Sequence, residues 1–165
     1  MDLFVTADGF LIHGNRRLPC ALGRGGINPS KVEGDGCTPV GRFPLRRVLY
    51  REDRLAPPET GLSVMAITPG DGWSDDPKDP AYNCPVSLPH DHGHEILWRE
   101  DAIYDVIVVL GHNDDPVVPG AGSAVFLHVA RPGFVPTEGC IALTREDLLA
   151  VLKACQPGDC LTISG

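Results

Sequence analysis

The sequence predicts a mainly β domain, a sandwich or barrel with one helix added near the C-terminal end. Three observations carry this. Short alternating or wholly apolar runs follow one another along the chain. Turn residues are dense between them, with 19 glycines and 16 prolines in 165 residues. A single segment, after Thr144, combines a helix cap with helical spacing.

Residues 2–6 alternate as a strand. Asp8-Gly9 is a hairpin signal, because a type I′ turn needs positive φ at both central positions. Residues 10–13 read as the second strand, Gly14-Asn15 as the next turn, and residues 16–22 as the third strand. Residues 23–41 form a long Gly-rich loop, a length that usually serves function. Residues 43–50 alternate again. Residues 51–62 are connection, and 62–68 a short strand. Residues 71–94 read as a polar, Pro-rich excursion without regular structure. Residues 104–111 and 124–130 are apolar throughout, the pattern of strands buried on both faces. Loops at 113–122 and 131–138 follow them. Thr144 with Asp147 three residues on marks an N-terminus. Leu148, Leu149, Val151 and Leu152 give the helix one apolar face before Pro157-Gly158. Residues 159–164 close as a strand. About eight strands result, in one domain over residues 1–165.

With 22 acidic and 14 basic residues the net charge is −8. That argues against general binding to nucleic acid or anionic membrane. No apolar run reaches the roughly 18 residues of a membrane span. The start, with an acid at position 2 and a turn at Asp8-Gly9, does not read as a secretory signal.

Cys140 stands out among the six cysteines. It follows Gly139 and shortly precedes a helix start, where backbone N–H groups can point at a bound oxygen. His128 lies twelve residues earlier on an apolar strand. A hairpin-like path through the intervening loop would bring the two together, and a thiol needs such a base. The blander reading is a core cysteine beside a satisfied strand histidine.

The surrounding residues add weight. Phe126-Leu127-His128 followed by Thr137-Glu138-Gly139-Cys140-Ile141 resembles the signature of the L,D-transpeptidase catalytic domain. Gly36-Cys37-Thr38-Pro39-Val40-Gly41-Arg42-Phe43 is similar to that family's Thr-Pro-x-Gly-x-Phe segment. The chain departs from the pattern at Glu138, where many members have His, and at Ala142, where Arg is frequent. The resemblance implies a β-sandwich or barrel-like catalytic fold and acyl transfer on peptidoglycan stem peptides. Cys140 would be the nucleophile, His128 the general base and acid, and the backbone N–H groups of Gly139 and Cys140 the oxyanion hole. It also implies no cofactor and a periplasmic or cell-envelope location, with the cytoplasm as the alternative that the N-terminus suggests. An L,D-carboxypeptidase, or a non-catalytic peptidoglycan- or protein-binding module, are the rival functions.

Four further residues are expected to handle substrate. His112 and Asn113 could line the cleft, or merely cap a strand end. Arg131 could meet a donor carboxylate. Thr137 could bond the turn that presents Cys140. Glu138 and Arg42 read as surface residues. His90-Asp91-His92-Gly93-His94 has the alternation of a metal tract, but no further ligand is spaced to complete a site, and no metal is expected. The run Asp71, Asp75, Asp76 and Asp79 lacks EF-hand spacing. The remaining cysteines form no Cys-x-x-Cys. Cys155 and Cys160 flank one turn, and Cys37 is the one rival nucleophile. A monomer is expected.

Overall fold

The first three expected strands form a meander at one edge of the main sheet. In the computed structural model, which describes residues 1–165, β1 (Leu3–Thr6), β2 (Phe10–His13) and β3 (Arg16–Pro19) pair antiparallel in chain order. Gly9 and Gly14 supply the positive φ of the two turns. β3 ends at Pro19 rather than at residue 22, because the chain beyond it leaves β2 for other partners.

The long loop is partly ordered. β4 (Ile27–Asn28) and β5 (Thr38–Pro39) form a small parallel ladder within it. β6 (Gly41–Tyr50) then runs through the middle of the main sheet, with β7 (Val64–Ala66) pairing beside its second half. β11 (Val106–Leu110) and β12 (Phe126–Val129) are fully buried, as their apolar composition predicts. β13 (Ile141–Leu143) pairs parallel to β12, and β14 (Cys160–Ile163) lies between β6 and β1. The strand order is β13-β12-β11-β6-β14-β1-β2-β3.

The two edges of this sheet meet. Ala21, just past β3, donates to Ala142 on β13 at 2.8 Å and accepts from it at 3.0 Å. This reciprocal pair makes the sheet a nearly closed barrel and removes two exposed edges.

Strand periodicity sorts the side chains into two cores. Val106, Val108, Leu110, Leu127, Val129, Ile141 and Leu143 face the larger one inside the barrel. Ile107, Val109, Phe126 and Cys140 belong to a second, outer cluster. The same alternation puts His128 on the outer face beside Phe126. The helix α1 (Arg145–Leu152) starts at Thr144, whose side chain accepts from Asp147 N–H. It buries Leu148, Val151 and Leu152 against the larger core. Asp105, buried, holds the helix's Arg145 and also Arg54, the latter at 2.6 Å.

The excursion at 71–94 corrects an expectation. It contains a three-stranded antiparallel sheet of β8 (Asp71–Ser74), β9 (Pro85–Ser87) and β10 (His94–Ile96), in the order β10-β8-β9. Its prolines are tolerated because Pro85 opens an edge strand and Pro77 and Pro80 sit in the turn between strands. Asp79 orders that turn by accepting from Ser74 Oγ at 2.6 Å and Ala81 N–H at 2.8 Å. Trp73 on β8 packs edge-on against Phe126, with ring centroids 5.1 Å apart. This small sheet therefore stands over the outer face of β12. The strands number fourteen rather than about eight, the extra ones being two to four residues long. No helix is long and apolar enough to cross a membrane.

Candidate active site

Cys140 and His128 reach one place through neighbouring strands. β12 and β13 run parallel, with His128 opposite Ala142, so Cys140 enters β13 two residues before that register point. The expected hairpin return is not what joins them. The loop between the strands travels back along β12, which is what a parallel pair requires.

Hydrogen bonds fix the turn that presents Cys140. Thr137 Oγ1 donates to the Cys140 carbonyl at 2.6 Å and accepts from Gly139 N–H at 3.1 Å. Thr38 Oγ1, fully buried on β5, donates to the Gly139 carbonyl at 2.9 Å and accepts from Gly23 N–H at 2.9 Å. Residues past β3 add backbone bonds, Arg24 N–H to Thr137 O at 2.8 Å and Thr137 N–H to Leu22 O at 2.9 Å. Gly139 has φ +135°, and a Cβ there would meet the Cys37 carbonyl at 2.8 Å. Only glycine fits this position.

The two N–H groups expected to form an oxyanion hole differ in this structure. Gly139 N–H is already held by Thr137, whereas Cys140 N–H has no acceptor in the protein. Of the two N–H groups, only that of Cys140 is left without a partner in the protein.

The cavity measures about 280 Å³. His128, Cys140, Gly139, Thr137 and Arg131 all line it. His128 Nδ1 lies 2.9 Å from the Val129 carbonyl. A carbonyl only accepts, so Nδ1 carries the proton and Nε2 keeps its lone pair. Burial pushes His128 down to about 4, helped by the positive charges of Arg131 and Arg99. The Cys140 thiol donates to the Ala124 carbonyl at 3.2 Å and accepts from Phe126 N–H at 3.4 Å. Burial, and next the charge of Glu95, push it up to about 12. At neutral pH both groups are therefore uncharged, a thiol and an imidazole. Lys31, with its side chain only 6% exposed, also lines the cavity, beside the turn. It donates to the Cys37 carbonyl at 2.8 Å and to Asp35 at 3.0 Å, and its charge favours a thiolate at Cys140.

A family model for the L,D-transpeptidase catalytic domain, YkuD, matches residues 4–163. The chain belongs to this family. L,D-transpeptidase domains act on cell-wall peptidoglycan. No curated protein matches the chain. Among solved structures it is similar to Mycobacterium tuberculosis L,D-transpeptidase 1, at 14% identity and a TM-score of 0.46, covering 99% of this chain and 61% of that one. It is also similar to L,D-transpeptidase 3 of the same organism in complex with a faropenem-derived adduct, at 16% identity and a TM-score of 0.46, covering 99% and 59%. The chain thus spans about three-fifths of the length of these L,D-transpeptidases.

Within this L,D-transpeptidase domain, two expected substrate residues lie away from the cavity. His112 packs edge-on against Phe43 at 5.3 Å between ring centroids, and burial, then the charge of Lys31, push it down to about 4. Asn113, at φ +51°, spends its amide on the Val118 and Gly122 carbonyls, both at 3.0 Å. Both residues order the loop after β11, and neither lines the cavity. Arg131 does line it and also approaches Asp101 at 3.7 Å. Glu138 reaches the rim but is exposed and paired with Arg24, and Arg42 is an exposed partner of Asp2. Cys37 is buried behind the turn, its thiol on the Gly25 carbonyl at 3.4 Å. All six cysteines are free thiols.

The histidine tract serves the small sheet. His90 bonds Asp79 at 2.6 Å, His92 bonds Asp76 at 3.2 Å, and His94 bonds the His92 carbonyl at 2.8 Å. The residues of the site that were not among those expected include Lys31, Thr38, Glu95 and Tyr104. Thr38 lies inside the Thr-Pro-Val-Gly segment, a signal within reach. The others come from separate elements with no shared motif.

Proposed function

We propose that this chain is a cysteine acyltransferase acting on peptidoglycan stem peptides. The observation that supports it most is one cavity lined by a thiol, a neutral imidazole whose Nδ1–H is held by the Val129 carbonyl, and an unengaged Cys140 N–H. His128 Nε2 takes the proton of Cys140 as the sulfur attacks the carbonyl before a terminal D-Ala. The oxyanion forms against Cys140 N–H, a donor worth about 3 kcal/mol in comparable sites. His128 returns its proton to the leaving D-Ala amine, and a thioester remains on Cys140. An amine on a second stem then takes the acyl group, giving a 3→3 crosslink.

The thiol at rest is protonated, so the nucleophile exists only while His128 holds its proton. Cys140→Ala and His128→Ala should each reduce turnover of a tetrapeptide stem by about a thousandfold or more. Intact mass after exposure to a carbapenem should show one adduct, on Cys140. Full turnover in either variant would overturn the mechanism. Muropeptide mass spectrometry should show crosslinked dimers; tripeptides with free D-Ala instead would make the enzyme a carboxypeptidase.

A further inference from the structure

Glu95 is a carboxylate that the fold does not need in ionised form. It lies on β10 directly opposite Trp73, on the face that covers β12, and it lines the same cavity as Cys140 and His128. Its side-chain hydrogen bonds come from one donor, Tyr104 Oη, at 3.0 and 3.2 Å. Asp35, Asp53, Asp79 and Asp105 all have a cation or histidine partner, and Glu95 has none. Tyr104 stands between the two titratable groups, its ring edge-on to His128 at 5.4 Å. The groups facing Glu95 are Tyr104, Arg99, Asp75 and Glu33, the last two being further cavity carboxylates. Burial, then the charges of Asp75 and Glu33, raise Glu95 to about 7, against the opposing Tyr104 bond and Arg99.

The chemistry of amine transfer needs a second base. An acceptor arriving as an ammonium ion must lose one proton to become a nucleophile and another after it attacks. His128 can carry only one of these, and it owes that one to the departing sulfur.

On the acyl-transfer reading above, we propose that Glu95 is the base that deprotonates the acceptor ammonium within the cavity. The ammonium N–H proton passes to the Glu95 carboxylate, which becomes a carboxylic acid, and leaves a neutral amine. The amine nitrogen forms a C–N bond to the thioester carbonyl. The C–S bond breaks, the second nitrogen proton passes through His128 to the Cys140 sulfur, and Glu95 later loses its proton to water. Among the charged groups lining the cavity, Asp75, Glu33 and Glu95 attract a cationic acceptor, while Lys31, Arg99 and Arg131 oppose it. Because Glu95 is a base only when ionised, transfer to a basic amine should rise with pH through about 7.

The test separates the two half-reactions in Glu95→Gln. Carbapenem acylation of Cys140 should not fall, since losing the Glu95 charge only eases ionisation of the thiol, while transfer to a lysine-like side-chain amine falls about a hundredfold at neutral pH and loses its inflection near 7, rising instead with the free-amine fraction. Transfer to aminoacetonitrile, which is largely unprotonated at neutral pH, should stay within about threefold of wild type. Equal losses with both amines, or no loss with either, would overturn the role and leave Glu95 as a packing partner of Tyr104. A wild-type protein that is never acylated at Cys140 overturns the acyl-transfer reading itself, and the Glu95 role with it.

Discussion

The Thr38 hydroxyl bridges Gly23 N–H and the Gly139 carbonyl in a site fully closed to water. Valine has nearly the same shape but neither donates nor accepts. Thr38→Val should therefore strand both groups and cost about 1–3 kcal/mol, read as a lower urea midpoint with an unchanged slope. Thr38→Ser should recover most of that loss. Carbapenem acylation of Cys140 should slow in Thr38→Val even where the protein is folded, since the turn loses a support. At this scale the sequence carried the thiol and the histidine, because a Gly-Cys pair and a strand histidine leave a local pattern. It did not carry the fate of Gly139 N–H. That depends on which atom the Thr137 hydroxyl accepts from, and no spacing encodes it. Glu95 was equally silent, since its meaning comes from Tyr104, nine residues on and outside β10.

Helix α1 is the element whose sequence and structure agree most closely. Its cap, its apolar positions and its stop are all local signals. Thr144→Ala removes the acceptor for Asp147 N–H and should lower stability by about 1 kcal/mol, seen in chemical denaturation, with little effect on Cys140 acylation. β11 and β12 were legible for a related reason: a strand buried on both faces must be apolar throughout. The small sheet of β8, β9 and β10 was not. Its strands are three or four residues long and include Pro85 and His94, so period and composition both fail. Its order comes from Asp79 and from Trp73 packing on Phe126, contacts made only after the chain has folded. β13, just Ile-Ala-Leu, was hidden for want of length.

The barrel as a whole is closed by a short seam, the Ala21–Ala142 and Gly23–Thr137 bridges. Ala21 and Ala142 exchange two backbone hydrogen bonds, and the segment after Ala21 also carries the bonds that hold Thr137. Ala21→Pro removes the donor to Ala142 and should open that seam. Hydrogen exchange should quicken at the amides of residues 137 and 142 well before those of β11, and Cys140 acylation should slow. β14 has a larger consequence. It is synthesised after the other thirteen strands, yet it lies between β6 and β1, joining the meander to the rest of the sheet. During translation the meander and the β6-β11-β12-β13 half exist without the strand that links them. The seam at Ala21 and Ala142 cannot settle until residues 160–163 have left the ribosome. A nascent chain stalled or clipped before β14 therefore carries Cys140 while the two halves of the sheet are still unjoined.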